Sequence, residues 1–114
     1  MKFLTIRLSA PDESVGGYMR NRYIVSYDIA DGKRWRRVYK KMRGFGDPIQ
    51  YSVFLCDLLP TERIMMIEAL TEIINHKEDR VLIVDVGPAK GTGEKRIKAI
   101  GKQLVDEEKI AIIV

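Results

Sequence analysis

The sequence predicts an α+β domain in which two helices pack on one face of an antiparallel sheet. Two observations support this prediction: short runs of β-branched and aromatic residues separated by turn-forming residues, and two apolar stripes at helical spacing between those runs. At 114 residues, the chain is long enough for one domain with a modest core and too short for two.

The first predicted strand covers residues 23–29 and leads into a helix. Its sequence, YIVSYDI, is rich in β-branched and aromatic residues. Asp31 is placed to cap the helix, because its carboxylate accepts hydrogen bonds from the free N–H groups of the first turn. An apolar stripe follows at positions i, i+3, i+4 and i+7, formed by Trp35, Val38, Tyr39 and Met42. Gly44 and Gly46 are expected to end the helix.

The second half of the predicted fold begins with residues 49–58, whose alternation of side chains predicts one half-buried strand. Pro60 stops this strand, and Thr61 is a candidate cap for a second helix. The apolar stripe of that helix consists of Met66, Leu70, Ile73 and Ile74. Further strands are predicted over residues 81–86, 95–100 and 110–114.

This order of elements predicts a ferredoxin-like, β-α-β-β-α-β-type fold over residues 21–114. The last strand, KIAIIV, has no obvious place in a four-stranded sheet of that kind. Because an apolar edge strand tends to pair with another chain, we expect it to be exchanged in a homodimer. Residues 1–20 include the turn-rich stretch SAPDESVGG. We expect them to form a leader or extension, loosely attached or disordered, or a stretch that precedes the true start, and we favour these two interpretations over the third, an extra strand.

The composition predicts a soluble cytoplasmic protein without a membrane partner. Cys56 is the single cysteine, which excludes an internal disulfide and fits a reducing compartment. No apolar run approaches the roughly 20 residues that a membrane-spanning helix needs. The start, MKFLTIRLSA, is a poor secretory signal because its apolar stretch is short and interrupted.

Positive charge is concentrated in one stretch, within a net charge of +4. The first predicted helix holds no acid among its basic residues, which are Lys33, Arg34, Arg36, Arg37, Lys40, Lys41 and Arg43. Residues 61–79 are mainly acidic by comparison. Such clustering suggests a polyanionic partner, DNA or RNA, with Lys33, Arg34, Arg36, Arg37, Lys40 and Lys41 as candidate contacts. A solvated helix face without a partner explains the same pattern.

Asp28 ends the first predicted strand and is the main candidate for chemistry. A carboxylate in this place can simply hydrogen-bond its own turn. Hydrolysis of a phosphodiester is helped by a hard cation, and Mg²⁺ combines few carboxylates with waters and substrate phosphates. In a twofold dimer Asp28 would lie opposite its own copy, so that two carboxylates share one ion. Arg36 and Arg37 would then hold the scissile or flanking phosphates.

Other polar residues carry weaker signals. His76, the sole histidine, is expected on the surface at the end of an acidic helix. Cys56 lies in an alternating strand and is expected to fill the core. The stretch GPAKGTGEK lacks the phosphate-loop pattern and predicts a flexible turn. Asp57 and Asp85 lie near strand ends, where each could assist a metal or face solvent in a turn.

Two stretches, YIVSYDIADGKRWRRVYKKM and GDPIQYSVFLCDL, closely resemble the small CRISPR-associated protein of the adaptation module, which accompanies the integrase. The resemblance extends from Asn21 to the C-terminus. It implies a ferredoxin-like homodimer that exchanges its last strand and cuts single-stranded RNA or double-stranded DNA with a metal ion. It also implies a role with the CRISPR integrase in spacer acquisition.

The resemblance also assigns roles to individual residues. It implies that Asp28 binds Mg²⁺ across the twofold axis, and that Tyr27, Arg37 and Phe54 contribute to nuclease activity. Two positions depart from the family pattern, since Pro48 and Trp35 stand where relatives often carry a basic residue.

Three classes of function are therefore compared. The first is a magnesium-dependent endonuclease acting in spacer acquisition. The second is a non-catalytic homodimeric scaffold that binds duplex DNA and bridges integrase dimers, for which the cationic helix is needed and Asp28 is not. The third, a small-ligand or regulatory ferredoxin-like domain, is disfavoured by the basic block and by the pairing of YD with QYSVF.

Overall fold

The computed structural model describes the backbone of residues 4–7 and the full residues 19–91 and 96–104. This part of the chain contains five strands and two helices. They are β1 (Leu4–Arg7), β2 (Asn21–Asp28), α1 (Gly32–Met42), β3 (Asp47–Gln50), β4 (Val53–Leu58), α2 (Pro60–Ile73) and β5 (Arg80–Pro88). Among the residues described, no helix combines the length and the apolar character that crossing a membrane requires.

The strands form one sheet in the order β1-β5-β2-β4-β3. Neighbouring strands are antiparallel in the series β5, β2, β4 and β3, which is the ferredoxin-like arrangement and confirms the predicted fold class. Strand β1 adds a fifth, parallel strand on the outer edge of β5, with Leu4 opposite Leu82. Residues 4–7 are thus paired to the sheet, as in the extra-strand alternative for the N-terminal segment.

The predicted strand over residues 49–58 is wrong, because this stretch is a tight β-hairpin. Gln50 pairs with Val53, and the turn between them consists of Tyr51 and Ser52. Ser52 adopts a left-handed backbone conformation with φ 60°, which costs a residue other than glycine about 1 kcal/mol. The alternation of apolar and polar side chains continues across this turn. The two turn residues include no glycine, asparagine or proline that would mark a turn in the sequence. Sequence periodicity therefore could not separate the two strands.

Because the hairpin contains two strands, it completes the four-stranded sheet for which the sequence predicts a strand over residues 95–100. Residues 96–100 contain no strand, so the predicted strand over 95–100 is wrong for those residues. The predicted terminal strand over residues 110–114 lies outside the described residues, and its exchange in a homodimer stays a prediction.

The helix boundaries follow from capping. The Asp31 carboxylate accepts a hydrogen bond from the Arg34 backbone N–H at 2.9 Å, which confirms the predicted cap of α1. The predicted cap of α2 at Thr61 is wrong, because the helix already begins at Pro60. There the Glu62 carboxylate accepts the backbone N–H of Leu59 at 2.8 Å, and proline tolerates the first helical position because it lacks an N–H.

The core lies between the helices and one face of the sheet. Tyr23, Val25 and Tyr27 of β2 are buried against the helices, because alternate side chains of a strand point to the same face. The helices contribute the predicted stripes, with Val38, Met42, Met66, Leu70 and Ile73 buried.

The opposite, open face of the sheet carries the residues in between. Ile24 is partly exposed there and is paired with Leu55 of β4 and Val84 of β5. The next pairs on this face join Ser26 to Val53 and to Leu82. A continuous apolar stripe of partly exposed side chains therefore crosses the open face, with no described element packed over it.

Candidate functional site

Asp28 is exposed at the end of β2, on the open face of the sheet. The same alternation that buries Tyr27 turns Asp28 to the side of Ile24 and Ser26. No residue in the described part of the chain donates a hydrogen bond to its carboxylate or forms an ion pair with it. Its cross-strand neighbour is Arg80, also exposed, at the start of β5. Directly paired residues share a face of the sheet, so Arg80 lies beside the carboxylate.

Within the described residues, no three carboxylate, histidine or thiol groups come together to hold a metal ion. Within this described part of one chain, Asp28 therefore offers a hard cation one carboxylate that no second ligating group joins. Carboxylate oxygen suits Mg²⁺, which retains several waters and is commonly held by one or two carboxylates together with substrate phosphates. Asp28 can therefore contribute one ligand to such an ion, and by itself it does not form a complete site.

Tyr27 and Phe54, the aromatic residues matched to nuclease activity, are core residues. Tyr27 is 4% exposed and Phe54 1% exposed, with ring centroids 6.2 Å apart. The Tyr27 hydroxyl is buried and has no hydrogen-bond partner among the residues that the structure describes. Burial, with a smaller contribution from Tyr39 and Tyr51, raises the pKa of Tyr27 to about 12. The hydroxyl therefore stays protonated at neutral pH, and neither ring is positioned to contact a substrate on the surface.

The cations of α1 form a separate surface on the other side of the sheet. Five of the predicted contacts are exposed and have no ion-pair partner among the described residues: Lys33, Arg36, Arg37, Lys40 and Lys41. Because α1 packs on the buried face, these charges and Asp28 are not brought together on one face of a single chain. The Arg36 guanidinium lies close to Gly32 at the start of α1.

Arg34, the sixth predicted contact, is held by carboxylates. Its Nε donates to Asp79 Oδ2 at 2.9 Å and its Nη2 donates to Glu78 at 3.0 Å. Asp79 also accepts the backbone N–H groups of Ala30 at 2.9 Å and Asn75 at 2.8 Å. This Asp79 hub ties the loop after Asp28 to the loop before β5.

The Asp79 side chain is 0% exposed, and its charge is maintained by the hub. Burial alone would raise the pKa of the Asp79 carboxyl, but the hydrogen bonds from Arg34, Ala30 and Asn75 outweigh it and lower that pKa below its usual value. The Arg34 charge is locally neutralised, so its predicted role with nucleic acid has no support in these contacts.

An aromatic cluster connects α1 to the β3–β4 turn. Trp35 stacks on Tyr51 with centroids 4.9 Å apart and planes 13° apart, and it meets Tyr39 edge-on at 5.4 Å. Its indole Nε1–H donates to Ser52 Oγ at 2.7 Å. A groove of about 490 Å³ runs along this flank of α1, lined by Trp35, Tyr39 and the stems of five basic residues: Lys33, Arg36, Arg37, Lys40 and Arg43.

The weaker candidates have structural roles. His76 is exposed and its ring Nε2–H donates to the Thr71 carbonyl at 3.0 Å. Cys56 is fully buried, and burial raises the pKa of its thiol to about 12, which confirms its place in the core. Asp57 accepts two hydrogen bonds from Arg22, at 2.8 and 2.9 Å. Asp85 is 3% exposed and accepts the Gly87 N–H at 2.9 Å, so it is not the solvated turn residue expected.

Sequence reasoning missed three residues that matter for these surfaces: Arg80, Asp79 and Tyr51. The only available signal for Arg80 was its place at the start of a predicted strand. The role of Asp79 depends on contacts made 45 residues apart with Arg34. Tyr51 was assigned to a strand interior because its hairpin turn was not recognised.

The fold and the site define a class of small ferredoxin-like domain with a strand-end carboxylate on the open face and a cationic helix behind it. Among known families, the family model described as CRISPR associated protein Cas2 matches residues 20–92 of this chain. The chain belongs to the CRISPR-associated Cas2 family.

Curated relatives and a solved structure agree with this membership. The chain is 48% identical to the CRISPR-associated endoribonuclease Cas2 of Geobacter sulfurreducens over 96 residues, which covers 84% of this chain and 100% of that protein. It is 42% identical to the CRISPR-associated endoribonuclease Cas2 1 of Rhodospirillum rubrum, with 81% and 89% covered. The crystal structure of Streptococcus pyogenes Cas2 is similar with a TM-score of 0.59 and 29% identity, covering 70% of this chain and 99% of that one.

Proposed function

We propose that this protein is a magnesium-dependent endoribonuclease whose site is completed by two copies of Asp28 in a homodimer. The observation that carries the proposal is the exposed Asp28 carboxylate on the open face of the sheet, which no described residue pairs with. The names of the Geobacter sulfurreducens and Rhodospirillum rubrum relatives support RNA as the substrate. By its resemblance to the adaptation-module protein, we further propose that it works with the CRISPR integrase in spacer acquisition.

The homodimer is supported by the surface that surrounds Asp28. The partly exposed stripe through Ile24, Leu55 and Val84 is apolar and lies on the same face as the carboxylate. Twofold packing of this stripe on its own copy would bury apolar surface on both chains and bring the two Asp28 residues to one interface. Two apposed carboxylates repel each other, and a divalent cation between them relieves that repulsion.

Each residue of the proposed site has a separate task. When bound, Mg²⁺ polarises a phosphoryl oxygen and lowers the pKa of a coordinated water. Asp28 contributes a carboxylate ligand to that ion. Arg80, beside Asp28 on the open face, is placed to hold a phosphate of the bound strand. Tyr27 and Phe54 act as positioning residues, because their packed rings support the strand end that presents Asp28.

Removal of the metal tests this proposal. We expect the protein to cleave a single-stranded RNA in Mg²⁺, to lose that activity in excess chelator, and to regain it when Mg²⁺ is restored. The reason is that a bound Mg²⁺ would supply the activated water, and the described residues contain no group of three or more His, Cys, Asp or Glu side chains that could hold a metal ion elsewhere. Gel analysis of end-labelled RNA and of duplex DNA measures the outcome and the substrate preference. Cleavage that persists in chelator would contradict the proposal.

A second candidate function is the non-catalytic scaffold, in which the cationic helix binds duplex DNA between integrase dimers. The observation that favours it is the separation of the exposed α1 cations from Asp28 on opposite faces of the sheet. The same assay distinguishes the two functions. A protein that binds duplex DNA tightly and cleaves neither substrate in Mg²⁺ would support the scaffold.

Tyr27→Phe separates a positioning role from a chemical one. We expect this variant to cleave RNA at the wild-type rate and to gain about 1 kcal/mol in free energy of unfolding, because it removes a buried hydroxyl that has no partner among the described residues. Urea denaturation and the cleavage assay measure the two effects. Loss of cleavage in a stably folded Tyr27→Phe protein would show that the hydroxyl takes part in the reaction.

A further inference from the structure

Tyr51 is an exposed aromatic ring with a fixed position. It is 80% exposed at the tip of the β3–β4 hairpin. One of its faces stacks on Trp35, with centroids 4.9 Å apart and planes 13° apart, so the other face is turned away from the protein. A large aromatic ring held parallel to a second ring and open on its outer side is the geometry of a stacking platform.

Three contacts hold this pair in place. The Trp35 indole donates a hydrogen bond to Ser52 Oγ at 2.7 Å, and Tyr39 packs edge-on against Trp35 at 5.4 Å. The Ser52 carbonyl accepts the backbone N–H of Tyr27 at 3.0 Å, which docks the turn on the end of β2. Ser52 has a left-handed backbone, where glycine would be favoured, and glycine would lack the hydroxyl that orients Trp35. The turn therefore presents Tyr51 in a preorganised position.

The surroundings of the platform are cationic. Trp35 also lines the groove along α1, together with Lys33, Arg36, Arg37 and Lys40. None of these four charges has an ion-pair partner in the part of the chain that the structure describes. An aromatic face next to unpaired cations matches a ligand that carries both flat, stackable rings and a line of negative charge.

We propose that the Tyr51–Trp35 pair stacks an unpaired base of a single-stranded nucleic acid, whose phosphates are bound by the α1 cations beside it. The proposal rests on the proposed function in one respect, that the partner is a nucleic acid, since the platform lies beside α1 and not on the face that carries Asp28. Bases of a duplex are already stacked on their neighbours and present only their edges in the grooves. Only an unpaired or flipped-out base can use the free face of Tyr51, so the platform distinguishes single strands from duplexes without reading sequence.

The test compares binding of a fluorescein-labelled mixed-sequence RNA with binding of the duplex form of the same RNA, in the presence of chelator so that no cleavage occurs. We expect Tyr51→Ala to weaken single-strand affinity by about tenfold and to leave duplex affinity unchanged. Tyr51→Phe, the matched control, retains the ring and should bind both as the wild type does. Trp35 is the single tryptophan, so its fluorescence reports directly on occupancy of the platform.

A charge variant separates stacking from phosphate binding. Replacing Arg36 and Lys40 by glutamine should weaken both single-strand and duplex binding and lower the salt dependence of log K by about 1.4 for the single strand and about 1.8 for the duplex, because two phosphate contacts are lost. Tyr51→Ala removes no charge and should leave the salt dependence unchanged. Because Tyr51 is mostly exposed, its variants should unfold at the wild-type urea midpoint, which is checked for each protein.

The outcomes distinguish this proposal from the proposed function. Wild-type affinity of Tyr51→Ala for the single strand, equal losses on single strand and duplex, or equal losses in Tyr51→Ala and Tyr51→Phe would each overturn the stacking platform. Cleavage by the wild type in Mg²⁺ would stand in all three cases. If the wild type shows the expected binding pattern and never cleaves, the endoribonuclease is overturned and the platform is supported.

Discussion

Asp28→Asn is expected to abolish magnesium-dependent RNA cleavage while the protein keeps its fold and its affinity for RNA. The substitution retains the shape of the side chain and removes the charged oxygen that would hold Mg²⁺. Changes to residues that only support a metal ligand already cost 10–100-fold, so loss of the ligand itself should lower the cleavage rate by at least about 100-fold. Because the Asp28 side chain is exposed and forms no hydrogen bond or ion pair with other described residues, the free energy of unfolding should change little.

Asp47→Asn provides the matched control for this experiment. Asp47 is another exposed carboxylate, located at the start of β3 on the far edge of the sheet, so its replacement changes the net charge by the same amount. We expect Asp47→Asn to cleave as the wild type does. Cleavage by Asp28→Asn at the rate of Asp47→Asn would show that the strand-end carboxylate is not the metal ligand.

The twofold character of the site has its own consequence for mixtures. Excess Asp28→Asn protein should lower the cleavage activity of wild-type chains by more than dilution alone would lower it. The reason is that mixed dimers contain one Asp28 carboxylate in place of two. Light scattering on the same samples should show a dimer for both proteins. A monomeric wild-type protein that cleaves RNA would refute the shared site, and so would activity that falls only by dilution.

Asp79→Asn is expected to cause the largest loss of stability among the substitutions considered, about 3 kcal/mol in the free energy of unfolding. Each Asp79 oxygen accepts hydrogen bonds from two donors: Arg34 and Ala30 at Oδ1, and Arg34 and Asn75 at Oδ2. An amide must turn its NH₂ group toward one of these pairs of donors, and it leaves the Arg34 guanidinium without its buried counter-charge. Urea denaturation measures the loss.

The stabilisation by Asp79 should also depend on pH in a defined direction. Because the folded protein lowers the pKa of Asp79, the contribution is fully present above the pKa of an unfolded aspartate, about 3.9. It is lost as the pH falls further, through the lowered pKa of the folded state. Wild type should therefore lose more stability between neutral pH and about pH 3 than Asp79→Asn does.

Glu78→Gln is the control for the hub, since Glu78 also pairs with Arg34 at 3.0 Å but is 58% exposed. Exposed ion pairs contribute little, so this variant should unfold close to the wild-type midpoint. Equal losses for Glu78→Gln and Asp79→Asn would contradict the distinction between the buried and the exposed carboxylate.

The predicted fold class is confirmed by the order and pairing of the strands, and α1 is the element with the strongest local signal. The stripe through Trp35, Val38, Tyr39 and Met42 needs only the helical period to be recognised, and Asp31 marks the start of α1 by its chemistry. The hairpin at Tyr51 and Ser52 was not predicted, because a serine in a left-handed conformation has no sequence signature. Its conformation depends on contacts with Trp35 and Tyr27 from other elements.

Sequence alone determined the α+β class, the family resemblance and the position of Asp28 at a strand end, since these depend on residue types and on spacing along the chain. The tertiary structure decided which cations remain available, because Arg34 is bound by Asp79 while Arg36 and Arg37 remain exposed. It also decided that Asp28 and the α1 cations lie on opposite faces, and that Arg80 is the cation beside the carboxylate. Pairings of this kind join residues far apart in the chain, where no local pattern reports on them.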